Sequence, residues 1–247
     1  LLHGTAPAKK PTIIVDLELI LAVDVSFSMD PEEQSLQRQG YVDAFRSLEV
    51  TSAIRNGPLG RIAVTYVEWG GTPFQIVPWT LIDGPASAGA FAEELNSIPL
   101  RRISFTSITE ALLFGARLFR ANEFTGLRRV IDVSGDGPNN SGAPVPLARN
   151  VLVAEGIVID GLPIMLEEKA GAFPDLDAYY ENCVIGGSGA FAIKVTSAAD
   201  FAQAIRQKLV LEITGDKLTG IEGEIVPVRA ERYNCLIGEE LHESGGG

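Results

Sequence analysis

Five oxygen-bearing side chains, widely separated along the chain, are of the types that could bind a metal ion. They are Asp24, Ser26, Ser28, Thr106 and Asp136. Together they offer two carboxylates and three hydroxyls, and oxygen donors select hard cations over zinc or copper. The set predicts a site for one divalent cation, Mg²⁺ before Ca²⁺ or Mn²⁺.

A site built mainly from hydroxyls leaves its cation under-neutralised, because hydroxyls carry no charge. Such an ion keeps affinity for another anionic ligand, most naturally a carboxylate from a protein partner. The sequence therefore predicts a non-enzymatic, cation-dependent binding module. Two alternatives stay open: a metal-assisted hydrolase with Asp132 or Glu110 as its base, and a structural subunit of a larger assembly.

The histidines and cysteines limit other chemistry. His3 and His242 both fall in predicted terminal segments. A Ser-His-Asp device or a His-ligated zinc site therefore has no histidine in the predicted domain to use. Cys183 and Cys235 could form one disulfide that ties the C-terminal segment to the domain, or they could be two unrelated thiols.

The elements that must position the five residues follow from hydrophobic periodicity. A buried strand ends at Asp24, and Asp30, Pro31 and Glu33 form a helix start with a capping box. Strands are predicted at 13–23, 61–69, 74–79, 128–134, 157–163 and 190–195. Helices are predicted at 31–53, 87–97, from 106 onward, 145–155, 175–182 and 198–211.

This alternation predicts an α/β fold with a doubly wound, mostly parallel sheet, one antiparallel edge strand and helices on both faces. In such sheets ligands bind at the carboxyl ends of the strands. Asp24 and Asp136 each follow a predicted strand, and Thr106 begins a helix. The topology therefore brings the candidate ligands to one edge.

Composition is consistent with a single folded domain. Of 247 residues, 46% are hydrophobic and 21% are charged, which is ordinary globular usage. We assign 12–213 to the domain, 1–11 to a leader or signal-peptide remnant, and 214–247 to a C-terminal tail. The net charge of −12 disfavours nucleic acid as a partner. No apolar run reaches the roughly 20 residues of a transmembrane helix.

At the candidate ligands the chain resembles the von Willebrand factor A family, whose metal-ion-dependent adhesion site (MIDAS) combines an Asp-x-Ser-x-Ser turn, a distant threonine and a later aspartate. Asp24, Ser26 and Ser28 match the turn, Thr106 the threonine and Asp136 the aspartate. The resemblance implies that the serines and threonine coordinate the metal directly. It implies that the aspartates bind directly or through water.

Three further runs resemble a bacterial subgroup, the DUF1194 proteins. They are residues 15–26, 128–140 and 183–187. That resemblance implies an exported, periplasmic or secreted protein and adds no activity.

Overall fold

The computed structural model describes residues 12–166, 173–215 and 233–245; the predicted leader at 1–11 lies outside these ranges. The strands are β1 (Ile13–Asp24), β2 (Ile62–Trp69), β3 (Phe74–Ile82), β4 (Phe124–Gly135) and β5 (Val158–Pro163). The α-helices are α1 (Pro31–Arg46), α2 (Leu48–Arg55), α3 (Pro85–Ser97), α4 (Ile108–Arg120), α5 (Val145–Ala154), α6 (Leu176–Tyr179), α7 (Phe201–Thr214) and α8 (Ile237–Gly245). A π-helical turn, Tyr180–Val184, continues α6, and a 3₁₀ turn, Ala198–Asp200, precedes α7.

The sheet has the order β3-β2-β1-β4-β5. Strand β1 pairs in parallel with both β2 and β4, β4 pairs in parallel with β5, and only the edge strand β3 runs antiparallel. The predicted fold class is confirmed. Because β1 and β4 are adjacent, the loops that carry Asp24 and Asp136 leave the same edge of the sheet.

Strand β1 is buried on both faces, which explains its nearly continuous run of apolar residues. Leu19 and Leu21 pack in a core with α1, α2, α3 and α7. Ile20 and Ala22 point the opposite way, into a core with α4, α5 and α6. The sheet is thus covered by helices on both sides, as predicted.

Two predicted elements differ from the structure. The single helix at 31–53 is two helices, because Ser47 adopts an extended backbone and its hydroxyl accepts a hydrogen bond from Val50 N at 3.2 Å, capping α2. The segment 190–195 is not a regular strand. It makes only isolated bridges from Ala192 and Val195 to the β5 region, so the edge of β5 is covered by irregular chain.

The C-terminal segment also differs from the predicted tail. It contains α8, and a disulfide joins Cys183 to Cys235 across 52 residues of sequence. The disulfide resolves the alternatives that the sequence left open. A nine-residue helix is marginal by itself, and the disulfide holds this one beside the domain.

A cluster of buried charges lies between the sheet and α7. Lys208 Nζ is 2.7 Å from Asp132 Oδ1, and it also pairs with Glu212 one turn along α7. Asp160, on β5, is 2% exposed and accepts a hydrogen bond from Phe191 N at 3.0 Å. Three carboxylates thus surround one ammonium, and burial raises the pKa of Asp160 to about 6 although Lys208 opposes the shift.

This elevated pKa predicts a pH-dependent stability. The folded protein holds a proton on Asp160 between its ordinary pKa of 3.8 and about 6, so this stabilisation is present at low pH and lost as pH rises through that window. In urea unfolding with EDTA, we expect Asp160→Asn to reduce the loss of stability between about pH 4.5 and 7 by roughly 1–2 kcal/mol. Parallel pH profiles for the two proteins would contradict this.

Candidate metal centre

The turn after β1 carries three of the predicted ligands. Val25 N donates to Trp69 O at 2.8 Å, which continues the sheet contact beyond the end of β1. Asp24 Oδ1 accepts a hydrogen bond from Ser26 N at 2.7 Å, which tightens the turn. Ser26 Oγ and Ser28 Oγ are 2.7 Å apart. The alternating spacing therefore brings both serine hydroxyls to one side of the turn.

The loop that precedes α4 is held by close backbone approach. Gly71 N donates to Ser104 O at 2.7 Å, and a Cβ on Gly71 would lie 2.8 Å from that oxygen. Phe105 has a φ of 64°, a left-handed conformation that is strained for a bulky residue. This strained residue directly precedes Thr106, whose placement it helps to set.

The loop after β4 is joined to the Thr106 loop by one asparagine. Thr106 N donates to Asn140 Oδ1 at 2.8 Å, and Asn140 N donates to Thr106 O at 2.9 Å. On the other side, Ser28 Oγ donates to Asp136 Oδ1 at 2.6 Å. Asp136 and Asn140 therefore connect the β4 loop to both of the other ligand-bearing loops.

The five predicted residues thus come together at the carboxyl edge of the sheet. Ser28, Thr106 and Asp136 line one cavity of about 470 Å³. Asp24 and Ser26 are 0% and 1% exposed, and Ser26 contacts the cavity through Ser28. The structure shows their proximity; their role as metal ligands remains a prediction.

The buried carboxylate of Asp24 has no positive charge beside it among the described residues that would offset its burial. Burial, followed by repulsion from Asp136, raises the pKa of Asp24 well above its usual value. Its Oδ2 is buried, and hydrogen bonds from Ser26 and from the Asp136 backbone only partly oppose the rise in pKa. A Cβ on Gly135 would lie 2.8 Å from that oxygen, so glycine preserves the space beside it. A bound cation would offset both the burial and the repulsion, so this donor set fits the predicted ion.

Tyr180 is a neighbour that the sequence did not single out. Its hydroxyl is buried without a hydrogen-bond partner among the described residues, and a Cβ on Gly135 would lie 3.1 Å from it. Burial, followed by the charge of Asp24, raises the pKa of Tyr180, which keeps the phenol protonated as a donor. The π-helical turn that places Tyr180 here has no recognisable pattern in the sequence.

Asn139 was not singled out from the sequence, and His242 was assigned to a terminal segment, although both lie at the site. Asn139 is fully buried; its backbone N donates to Tyr179 Oη at 3.2 Å and its side chain donates to Glu239 Oε1 at 2.8 Å. His242, assigned to a tail, lines the same cavity as Thr106. The turn-rich run after Asp136 was a usable signal for Asn139 and Asn140, whereas His242 had none.

The remaining candidates for chemistry are more restricted. Asp132, one of the two predicted bases, is 1% exposed and paired with Lys208 in the core, so it serves the buried charge cluster. Glu110 lies in the first turn of α4. Within the described ranges, no three His, Cys, Asp or Glu side chains form a metal-binding group. The candidate centre accordingly depends on hydroxyls.

Over residues 12–166, 173–215 and 233–245, no helix has the length and apolar character needed to cross a bilayer.

Comparison with known proteins gives both a family match and a fold match. Residues 14–217 match the family model described as "Protein of unknown function (DUF1194)". No curated protein matches the chain in sequence.

Three solved structures are similar in fold at low sequence identity. Proximal thread matrix protein 1 from the mussel byssus has a TM-score of 0.58 at 16% identity, over 82% of this chain and 49% of that chain. The von Willebrand factor type A protein from Catenulispora acidiphila has a TM-score of 0.56 at 15% identity, over 81% and 43%. BatB from Bacteroides thetaiotaomicron has a TM-score of 0.51 at 21% identity, over 81% and 100%.

These likenesses confirm the predicted von Willebrand factor A fold. The chain spans less than half the length of the mussel and Catenulispora chains, at 49% and 43%. Another structure of the mussel protein, with a TM-score of 0.55 at 17% identity over 82% of this chain and 48% of that chain, has a zinc-occupied MIDAS motif.

Proposed function

The chain belongs to the DUF1194 family of proteins of unknown function, and we propose that its von Willebrand factor A-like domain is a non-enzymatic module that binds a protein partner through one divalent cation. The observation that carries this proposal is the environment of Asp24. A carboxylate that is 0% exposed and lies beside the charge of Asp136 is costly to keep ionised without a compensating positive charge. Hydroxyls and a second carboxylate lie beside it.

In this proposal Ser26, Ser28 and Thr106 supply hydroxyl oxygens to the ion, while Asp24 and Asp136 hold the coordination sphere. The ion supplies positive charge that a partner's carboxylate can bind. Mg²⁺ is the proposed ion because all five donors are oxygen. The zinc-occupied MIDAS motif of the mussel protein supports a divalent ion in this fold.

We place the protein in the periplasm or outside the cell. The disulfide between Cys183 and Cys235 supports this location, because disulfides persist in oxidising compartments.

The net charge of −12 supports cations as partners and disfavours nucleic acid.

Thermal melting tests the cation requirement. We expect Mg²⁺, Mn²⁺ or Ca²⁺ to raise the melting temperature relative to EDTA, since a ligand at 100 times its Kd stabilises the folded state by about 2.7 kcal/mol. The response should saturate with one ion per chain. Identical melting in EDTA and in all three cations would refute the proposal.

The partner is tested separately by affinity capture from extracts of the source organism. Proteins bound in Mg²⁺ and released by EDTA are expected on the wild-type chain and not on Asp136→Ala. A set of captured proteins that is the same with EDTA, and the same on both baits, would show that binding does not depend on the cation.

A further inference from the structure

The C-terminal helix α8 lies at the mouth of the candidate metal centre. Gly238, Leu241 and His242 line the same cavity as Ser28, Thr106 and Asp136. The His242 ring also packs edge-on against Phe105, with ring centroids 5.7 Å apart. The face on which a partner's carboxylate would approach the cation is therefore partly covered by the chain's own helix.

The helix is held there through its first turn, in which the partly buried Ile237 packs against the core. Gly238 is its only buried residue from Ile237 through Ser244. A Cβ at Gly238 would lie 2.0 Å from the backbone oxygen of Asn139, so the helix rests directly on the loop after β4. Next to it, Glu239 Oε1 accepts a hydrogen bond from Asn139 Nδ2 at 2.8 Å.

The helix is also tied covalently to the domain. The Cys183–Cys235 disulfide ends two residues before α8 begins. A tethered helix that loses its few contacts stays near the site at high effective concentration. Elements with little buried surface open at a low free-energy cost. A tether combined with little buried surface is what a reversibly displaced helix would need.

We propose that α8 reversibly covers the ligand face, which is the surface lined by Ser28, Thr106 and Asp136. In this proposal α8 is the internal occupant of that face, and the external partner is an acidic segment with apolar side chains that displaces it. The helix itself shows what the surface accepts, because Glu239 accepts a hydrogen bond from Asn139 beside the cavity and the half-exposed Leu241 lines it. The proposal rests on the proposed function, in that the displaced face is the one that carries the cation.

The substitution Gly238→Ala tests the contact without altering a predicted ligand. Alanine is the better helix former, so any loosening of α8 must come from the clash with Asn139 O. Gly89→Ala is the matched control, because Gly89 also lies within a helix and a Cβ there meets nothing within 4 Å. Both proteins are studied as the full oxidised chain, in Mg²⁺ and in EDTA.

Two readouts are made on the wild type and both variants. Hydrogen exchange of α8 should be at least tenfold faster in Gly238→Ala than in the wild type or Gly89→Ala. A fluorescent synthetic peptide with the sequence of residues 236–244 should bind Gly238→Ala at least tenfold more tightly than the other two. Equal exchange in all three proteins would overturn the proposal, as would equal peptide binding or none to any.

The measurements in EDTA separate this inference from the proposed function. If the cation has no effect but the variant still loosens α8 and gains peptide affinity, the proposed cation dependence fails while the internal occupant stands. If the cation stabilises all three proteins but they do not differ in exchange or peptide affinity, the internal occupant fails alone.

Discussion

Replacing Ser26 and Ser28 together by alanine is expected to weaken Mg²⁺ binding by at least 100-fold, which corresponds to about 2.7 kcal/mol. The two hydroxyls lie 2.7 Å apart, and Ser28 Oγ is 2.6 Å from Asp136 Oδ1, so the double variant removes adjacent donors from one side of the site. Isothermal titration of chelator-treated protein measures the loss. The stabilisation by Mg²⁺ in thermal melting should disappear with it.

A matched control distinguishes lost ligands from a general effect of removing serines. Ser52→Ala with Ser97→Ala removes two exposed hydroxyls, on α2 and α3, that are not part of the site. This control should bind Mg²⁺ like the wild type. If the Ser26 and Ser28 double variant also keeps wild-type affinity, the serines are not ligands and the proposed centre is wrong.

The second large effect is expected from Lys208→Met in the buried charge cluster. The substitution leaves Asp132, Asp160 and Glu212 buried without the ammonium that compensates them. Removing one partner of a buried pair costs about 3–5 kcal/mol, since the remaining charge cannot be solvated. Urea unfolding at neutral pH should show a loss of this size.

Two comparisons make the Lys208 result specific. Arg206→Met, on the same helix, breaks an exposed pair with Glu49 at 4.0 Å and should cost less than about 1 kcal/mol. Adding Glu212→Gln to Lys208→Met removes one uncompensated carboxylate and should recover part of the stability. A loss below about 1 kcal/mol for Lys208→Met alone would show that the ammonium does not compensate these carboxylates.

The sequence predicted the elements whose signals are local. The capping box of Asp30 and Glu33 is present at the start of α1, where both reciprocal hydrogen bonds form. The apolar runs of β1 and β4 are the central parallel strands. The prediction of a strand at 190–195 was wrong, because this segment makes only isolated bridges with the β5 region and hydrophobic alternation does not encode them.

For the candidate site too, local sequence signals identified some residues and not others. Asp24, Ser26 and Asp136 could be found because each lies at the end of a strand or within two residues after it, and the fold brings those ends together. Tyr180 could not, since a π-helical turn aims its hydroxyl toward Gly135.

His242 and α8 reach the site through a disulfide and through contacts of Gly238 and Glu239 with Asn139. The partners in those contacts are about 100 residues apart in sequence. Such long-range contacts leave no periodic trace in the sequence.

Crystals of the full chain grown with Mn²⁺, examined for anomalous scattering, test the central claim most directly. The account predicts one anomalous peak per chain, within coordination distance of the side-chain oxygens of Ser26, Ser28 and Thr106. A peak elsewhere would contradict it, and so would the absence of any peak at this edge of the sheet at saturating Mn²⁺.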